Sequence, residues 1–172
     1  GAHVLRIELA GADGRPCSRP ARPVDAPIPP EEFEVSCELG RGAGGVVLAA
    51  RRRADGRAVA LKVLADPVVP GSADHERFLR EGRLAASLRS PHIVEVMDLR
   101  VTAGGAAFIV MERVEGPSLE TVLRARGPLS PPEALRVGAH VASALSVTAA
   151  AGVVHRDVKP GNVLLSPDGL AK

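Results

Sequence analysis

Tryptophan and tyrosine are absent from this chain and phenylalanine occurs only three times, so large rings cannot dominate its interior. Alanine, valine and leucine must fill the one real core that 172 residues with 45% apolar content can bury. Long hydrophobic runs are also lacking. None approaches the ~20 residues that span a bilayer, and no signal peptide is apparent. Cysteine is scarce, and Cys17 and Cys37 show neither metal-ligand spacing nor a disulfide framework. Two free thiols are therefore expected, Cys37 in a core and Cys17 in a linker, in a reducing, cytoplasmic setting. Charge of one sign does not prevail: the net charge is +2 and the arginines are scattered, which argues against a nucleic-acid partner. The run Arg51-Arg52-Arg53 reads as a solvated strand end.

Lysine and asparagine are the scarcities that inform most. Nineteen arginines stand beside three lysines, Lys62, Lys159 and Lys172, and Asn162 is the sole asparagine. Where nearly every cation is a guanidinium, a lysine at a site suggests that a compact ammonium is wanted. Two of the three fall inside motifs. One is His155-Arg156-Asp157-Val158-Lys159-Pro160-Gly161-Asn162, which gathers a potential proton acceptor, an ammonium and an amide able to coordinate a cation within a turn-sized segment. The plainer reading, a polar loop after a helix, does not account for the extended spacing.

The second motif is Gly40-Arg41-Gly42-Ala43-Gly44-Gly45-Val46-Val47, with glycines in a G-x-G-x-x-G-x-V pattern. A dinucleotide fingerprint would follow a strand and open a helix. Here strands flank it on both sides. Phe33, Val35, Cys37 and Leu39 alternate with polar residues, and residues 46–53 read as another strand closed by the Ala54-Asp55-Gly56 turn. A third strand, residues 57–64, carries Val59-Ala60-Leu61-Lys62. Glycines joining two strands make a flap whose backbone can approach phosphate oxygens without a Cβ clash. A Walker-type loop is excluded, because no glycine precedes Lys-Ser or Lys-Thr. Lys62 reads either as an edge-strand charge reaching for water or as a phosphate ligand, and its place after an apolar run favours the latter.

In order, the glycine flap, the lysine strand and the His-Arg-Asp loop resemble the protein kinase superfamily, and Lys159 resembles its serine/threonine branch. The likeness covers residues 33–172 and is nearest to bacterial serine/threonine kinases of eukaryotic (Hanks) type. It implies an α+β, protein-kinase-like bilobal fold, with an antiparallel five-stranded small lobe, one helix, and the first part of a helical large lobe. The implied activity is transfer of the γ-phosphoryl group of ATP, with Mg2+, to serine or threonine hydroxyls of a protein. By the same resemblance, Asp157 accepts the hydroxyl proton, Lys159 neutralises charge on the transferring group, and Asn162 holds a metal ion. Lys62 pairs with a helix glutamate, Glu81 first and Glu76 otherwise. Leu39, Gly40, Gly42, Gly45, Val47, Ala60 and Leu164 line the nucleotide site, Met111 guards its back, and the Glu112 carbonyl and Val114 backbone meet the adenine edge. Arg156 would clamp a phosphorylated loop, and His155 would pack structurally.

The remaining expectations concern organisation. Residues 1–10 read as a possible remnant of a preceding segment, 11–32, with six prolines between 11 and 30, as a linker, 33–116 as small lobe and hinge, and 117–172 as a partial large lobe. A helix over residues 74–90 should turn Phe78, Leu84, Ala85 and Leu88 inward, although Gly82 costs it about 1 kcal/mol. Ser130-Pro131-Pro132-Glu133 opens a long helix with Leu135, Ala139, Ala142 and Leu145 inside and Gly152 at its end. Residues 163–169 begin a hairpin. Both chain ends are expected to be cut, because the chain lacks an initiator methionine and the resemblance puts the family's Asp-Phe-Gly triplet about three residues beyond Lys172. A chain without it should lack efficient activity. The alternative is a pseudokinase, which binds a nucleotide or a partner without phosphotransfer.

Overall fold

The computed structural model describes residues 3–4, 28–42 and 44–172. Its strands are β1 (His3–Val4), β2 (Phe33–Gly42), β3 (Gly45–Arg52), β4 (Ala58–Leu64), β5 (Val96–Val101), β6 (Ala107–Glu112) and β7 (Val153–Val154). β2 to β6 form one antiparallel sheet in the order β2-β3-β4-β6-β5, while β1 and β7 pair in parallel. The sheet is the five-stranded small lobe expected. β5 is the strand that had not been placed from the sequence.

Period-two alternation sorts the sheet into two faces. Val46, Leu48, Ala50, Val59, Leu61, Val63, Phe108 and Val110 form one buried cluster, closed by Phe33. Phe33 meets Phe108 edge to face at 6.2 Å, so two of the three phenylalanines seal one side. The intervening residues Val47, Ala60, Ile109 and Met111 form the second cluster with Ala85 of the helix α1 (Ala73–Ser87). Lys62 has the parity of Ala60, and β4 lies between β3 and β6. An edge-strand role is therefore ruled out, and Lys62 is buried to 4% exposure.

Three helices follow the expected signals unequally. Ser72 caps α1, its side chain accepting from the His75 N–H at 3.2 Å. Ala85 and Leu88 are buried, and Phe78 and Leu84 are half-buried. α2 (Leu119–Arg126) was missed, although Ser118 caps it and Gly127, at φ +81°, ends it. α3 (Pro131–Ala150) begins at Ser130, whose N–H and hydroxyl both donate to the Glu133 carboxylate at 2.9 and 2.7 Å.

The inner face of α3 differs from expectation. Leu135 is 75% exposed, and Ala139 and Ala142 are also exposed. Leu145 faces inward as expected, together with Val137, His140, Val141, Ala144 and Thr148. Small residues occupy both sides of this helix, so hydrophobic spacing alone selects no face.

The cysteine expectation is also corrected. Cys37 is fully buried in β2 and is disulfide-bonded, not a free thiol. Pairing depends on three-dimensional approach, which the spacing of two cysteines does not reveal. Cys17 lies outside the described residues, as do most of the Pro-rich stretch and Ala43 of the flap.

Candidate active site

The glycine flap is the β2–β3 hairpin. Gly40 lies across from Val47 and Gly42 from Gly45. Gly45 has φ +123°, and a Cβ there would overlap the Val63 carbonyl oxygen. Its lack of a side chain is thus demanded by the neighbouring strand, independently of any phosphate. Leu39 packs on the cluster that holds Val47, Ala60 and Met111, so these four apolar candidates share one face. Leu164 is buried in the segment after the loop, bridged to Ser118.

The His155–Asn162 segment is organised by Asn162. Its Nδ2 donates to the Asp157 carbonyl at 2.8 Å and to Asp157 Oδ2 at 3.0 Å. Lys159 Nζ lies 2.8 Å from the same carboxylate oxygen. The turn Pro160–Asn162 makes this possible by bringing the amide back over the loop. Asn162 Oδ1 is buried and has no hydrogen-bond partner among the described residues. Such an orphaned acceptor costs about 1–3 kcal/mol unless a ligand takes it up. The Asp157 N–H donates to His155 Nδ1 at 3.3 Å, which gives His155 a structural contact. Arg156 is exposed and holds φ +61°, a strained value for a side-chain-bearing residue.

Other candidates are not brought together. Among the described residues no ion pair joins Lys62 to Glu81, which is half-buried on α1, and Glu76 is exposed. The Val114 N–H is engaged by no hydrogen bond among the described residues, while Glu112 is held by several. A cavity of about 130 Å³ opens behind Met111, between Leu88, Val141, Leu145 and the loop residues His155 and Asn162. It lies beside the His155–Asn162 segment and not beneath the flap.

A model of the protein kinase domain matches residues 33–172. The chain belongs to the protein kinase family. Its kinase relatives include the serine/threonine-protein kinase PknK of Mycobacterium tuberculosis, 46% identical over 133 residues, which cover 77% of this chain and 12% of that protein. The serine/threonine-protein kinase PkaA of Streptomyces coelicolor is 42% identical over 142 residues, covering 76% and 26%. PknH of M. tuberculosis is 40% identical over 133 residues, covering 77% and 21%. The chain thus spans about a quarter or less of these relatives' own lengths.

Within this kinase domain, three contacts escaped the sequence. A Cβ on Gly116 would overlap the Leu165 carbonyl oxygen, so the hinge leans on backbone. His92 and His140 stack at 4.0 Å and hold the Ala171 carbonyl and N–H respectively. Lys172 grips the Glu112 carboxylate. Only the last had a visible signal, as the third lysine of an arginine-rich chain.

Proposed function

We propose that the protein carrying this chain transfers the γ-phosphoryl group of ATP to serine or threonine hydroxyls of protein substrates. The observation that carries the reading is the cluster of Asp157, Lys159 and Asn162, with Asn162 Oδ1 buried and unpaired. An amide oxygen is a suitable ligand for a hard cation that keeps most of its waters and binds through few protein groups, as magnesium does. When bound, magnesium would supply neutralising charge to phosphate oxygens.

The chain's own residues do the rest. Asp157 orients the incoming hydroxyl and takes its proton on the carboxylate. Lys159, already beside that carboxylate, places an ammonium where the transferring group gathers negative charge. Asn162 fixes the Asp157 backbone and side chain through one amide nitrogen. Lys62, projecting from the interior strand β4 on the Ala60 and Met111 face, contacts phosphate oxygens, with Glu81 of α1 as the acid that positions it. Leu39, Val47, Ala60, Met111 and Leu164 enclose the purine, whose edge meets the Glu112 carbonyl and the Val114 N–H. Gly40, Gly42 and Gly45 form the flap above the phosphates.

A second reading, a pseudokinase that binds nucleotide without transferring phosphate, draws on the lack, among the described residues, of an ion pair between Lys62 and Glu81. Both are separated by one experiment on the full-length protein: radiolabelled phosphotransfer to a protein substrate, with Asp157→Asn beside wild type. Loss of about 10²–10⁴-fold in kcat supports the kinase reading. Full activity in Asp157→Asn sinks it, and nucleotide binding without turnover in wild type establishes the pseudokinase.

No described helix is long and apolar enough to cross a membrane. Cytoplasmic placement belongs to the same proposal, since ATP is the donor. The disulfide at Cys37 is the observation against a uniformly reducing setting.

A further inference from the structure

Of the three lysines, Lys172 alone has no part in the roles assigned above. Its Nζ reaches both oxygens of Glu112, at 2.7 and 2.9 Å, across 60 residues of sequence. Both side chains are mostly sheltered, at 17% and 20% exposure, so this is not a solvated surface pair. Glu112 is held further by Glu95: its N–H donates to the Glu95 carbonyl at 2.9 Å, and its carboxylate accepts from the Glu95 N–H at 3.1 Å.

Lys172 is itself fixed. Its N–H and carbonyl pair with Leu164 at 3.0 and 2.8 Å. The neighbouring Leu165 N–H donates to the Pro117 carbonyl at 2.9 Å, and the Leu119 N–H donates to the Val163 carbonyl at 2.8 Å. The irregular segment between Glu112 and Ser118 is therefore pinned at both ends. Lys172 supplies the upper pin and backbone pairing the lower one. Val114, with its unengaged N–H, sits between them.

We infer that Lys172 is a positioning residue for nucleotide binding, acting through Glu112 to hold the hinge at the geometry the adenine edge requires. The inference rests on the nucleotide site proposed above. A charged donor pair with two contacts is directional as well as strong. Removing either partner leaves the other charge sheltered and uncompensated, so the hinge root must shift or take in water. Displacement of a binding element by about 1 Å is enough to weaken a site severely. The chemical groups Asp157, Lys159 and Asn162 lie outside this circuit, so the effect falls on nucleotide affinity.

The test uses the full-length protein, a fluorescent ADP analogue, steady-state kinetics with ATP, and melting temperatures alongside. Lys172→Met and Glu112→Lys are each expected to weaken analogue binding about tenfold or more and to raise the ATP KM alike, and in Lys172→Met kcat should stay within about twofold. The reversed pair, Glu112→Lys with Lys172→Glu, is expected to recover most of that affinity. Wild-type affinity in Lys172→Met overturns the inference. So does a reversed pair that binds no better than the single variants, including the case in which a single variant fails to fold. If wild type does not bind the analogue, the nucleotide site itself falls and takes this inference with it. A normal wild type with an unaffected Lys172→Met removes the inference alone.

Discussion

Asn162 divides its amide between two tasks: the nitrogen braces Asp157 and the oxygen stays buried without a partner. Asn162→Ala removes both at once. Two hydrogen bonds at about 1 kcal/mol each are lost, but the penalty of the unpaired oxygen, about 1–3 kcal/mol, is relieved with them, so denaturant titration should leave stability within ~1 kcal/mol of wild type. If the proposed phosphotransfer holds, the magnesium concentration for its half-maximal rate should rise about tenfold or more in the full-length protein, and an unchanged magnesium dependence would remove the metal role. This site was legible because its contacts are local, five residues apart at most. Glu112 shows the opposite case. Its backbone was read from a hinge pattern, but its carboxylate is spoken for by a lysine 60 residues away, which no local spacing reveals. Cys37 failed for the same reason. Hydrophobic alternation placed it correctly in the core, and nothing in that alternation bears on what its sulfur meets.

At the scale of elements, Gly82 turns from a weakness into a fitting. As a residue in a helix it costs about 1 kcal/mol relative to alanine. As a contact it lets α1 settle on β5, because a Cβ there would overlap the Leu99 side chain. Gly82→Ala should therefore destabilise despite the better propensity, overpacking at ~1–3 kcal/mol outweighing the gain. A melting temperature above wild type would show that Leu99 yields freely. Strands and caps were read closely. The hairpin, the lysine strand and the Ser130–Glu133 start lie within a few residues of expectation, because turn residues and period two are strong signals. On α3 only Leu145 of the four expected inward residues faces inward, because valine, alanine and glycine surround the helix. His140, a half-buried polar residue, marks the true inner side.

Across the whole molecule, the two lobes also meet at a pair of imidazoles. His92, in the loop between α1 and β5, stacks on His140 of α3 at 4.0 Å. The Ala171 N–H donates to His140 Nδ1 at 3.1 Å, so that nitrogen must be unprotonated. The Ala171 carbonyl lies 3.0 Å from His92 Nδ1, which is therefore the ring's donor nitrogen. Burial, then the neighbouring His92 and Arg136, push the His140 pKa below its ordinary value. His155, Lys159 and Lys172 line the adjoining cavity and add no negative charge there. A histidine whose folded pKa is depressed favours the neutral form. Its contribution is complete above the unfolded pKa of about 6.5 and is lost as pH falls through the folded value. Stability should accordingly decline on acidification below about pH 6.5, before most carboxylates titrate. Glu133 and Asp55, each held down at about 2 by hydrogen bonds, contribute their own loss only in stronger acid. His140→Gln keeps an acceptor but cannot titrate, so its unfolding midpoint in urea should be flatter between pH 7 and about pH 5 than that of wild type. Equal slopes in the two proteins would show that the stacked pair does not govern how firmly Ala171 joins the lobes.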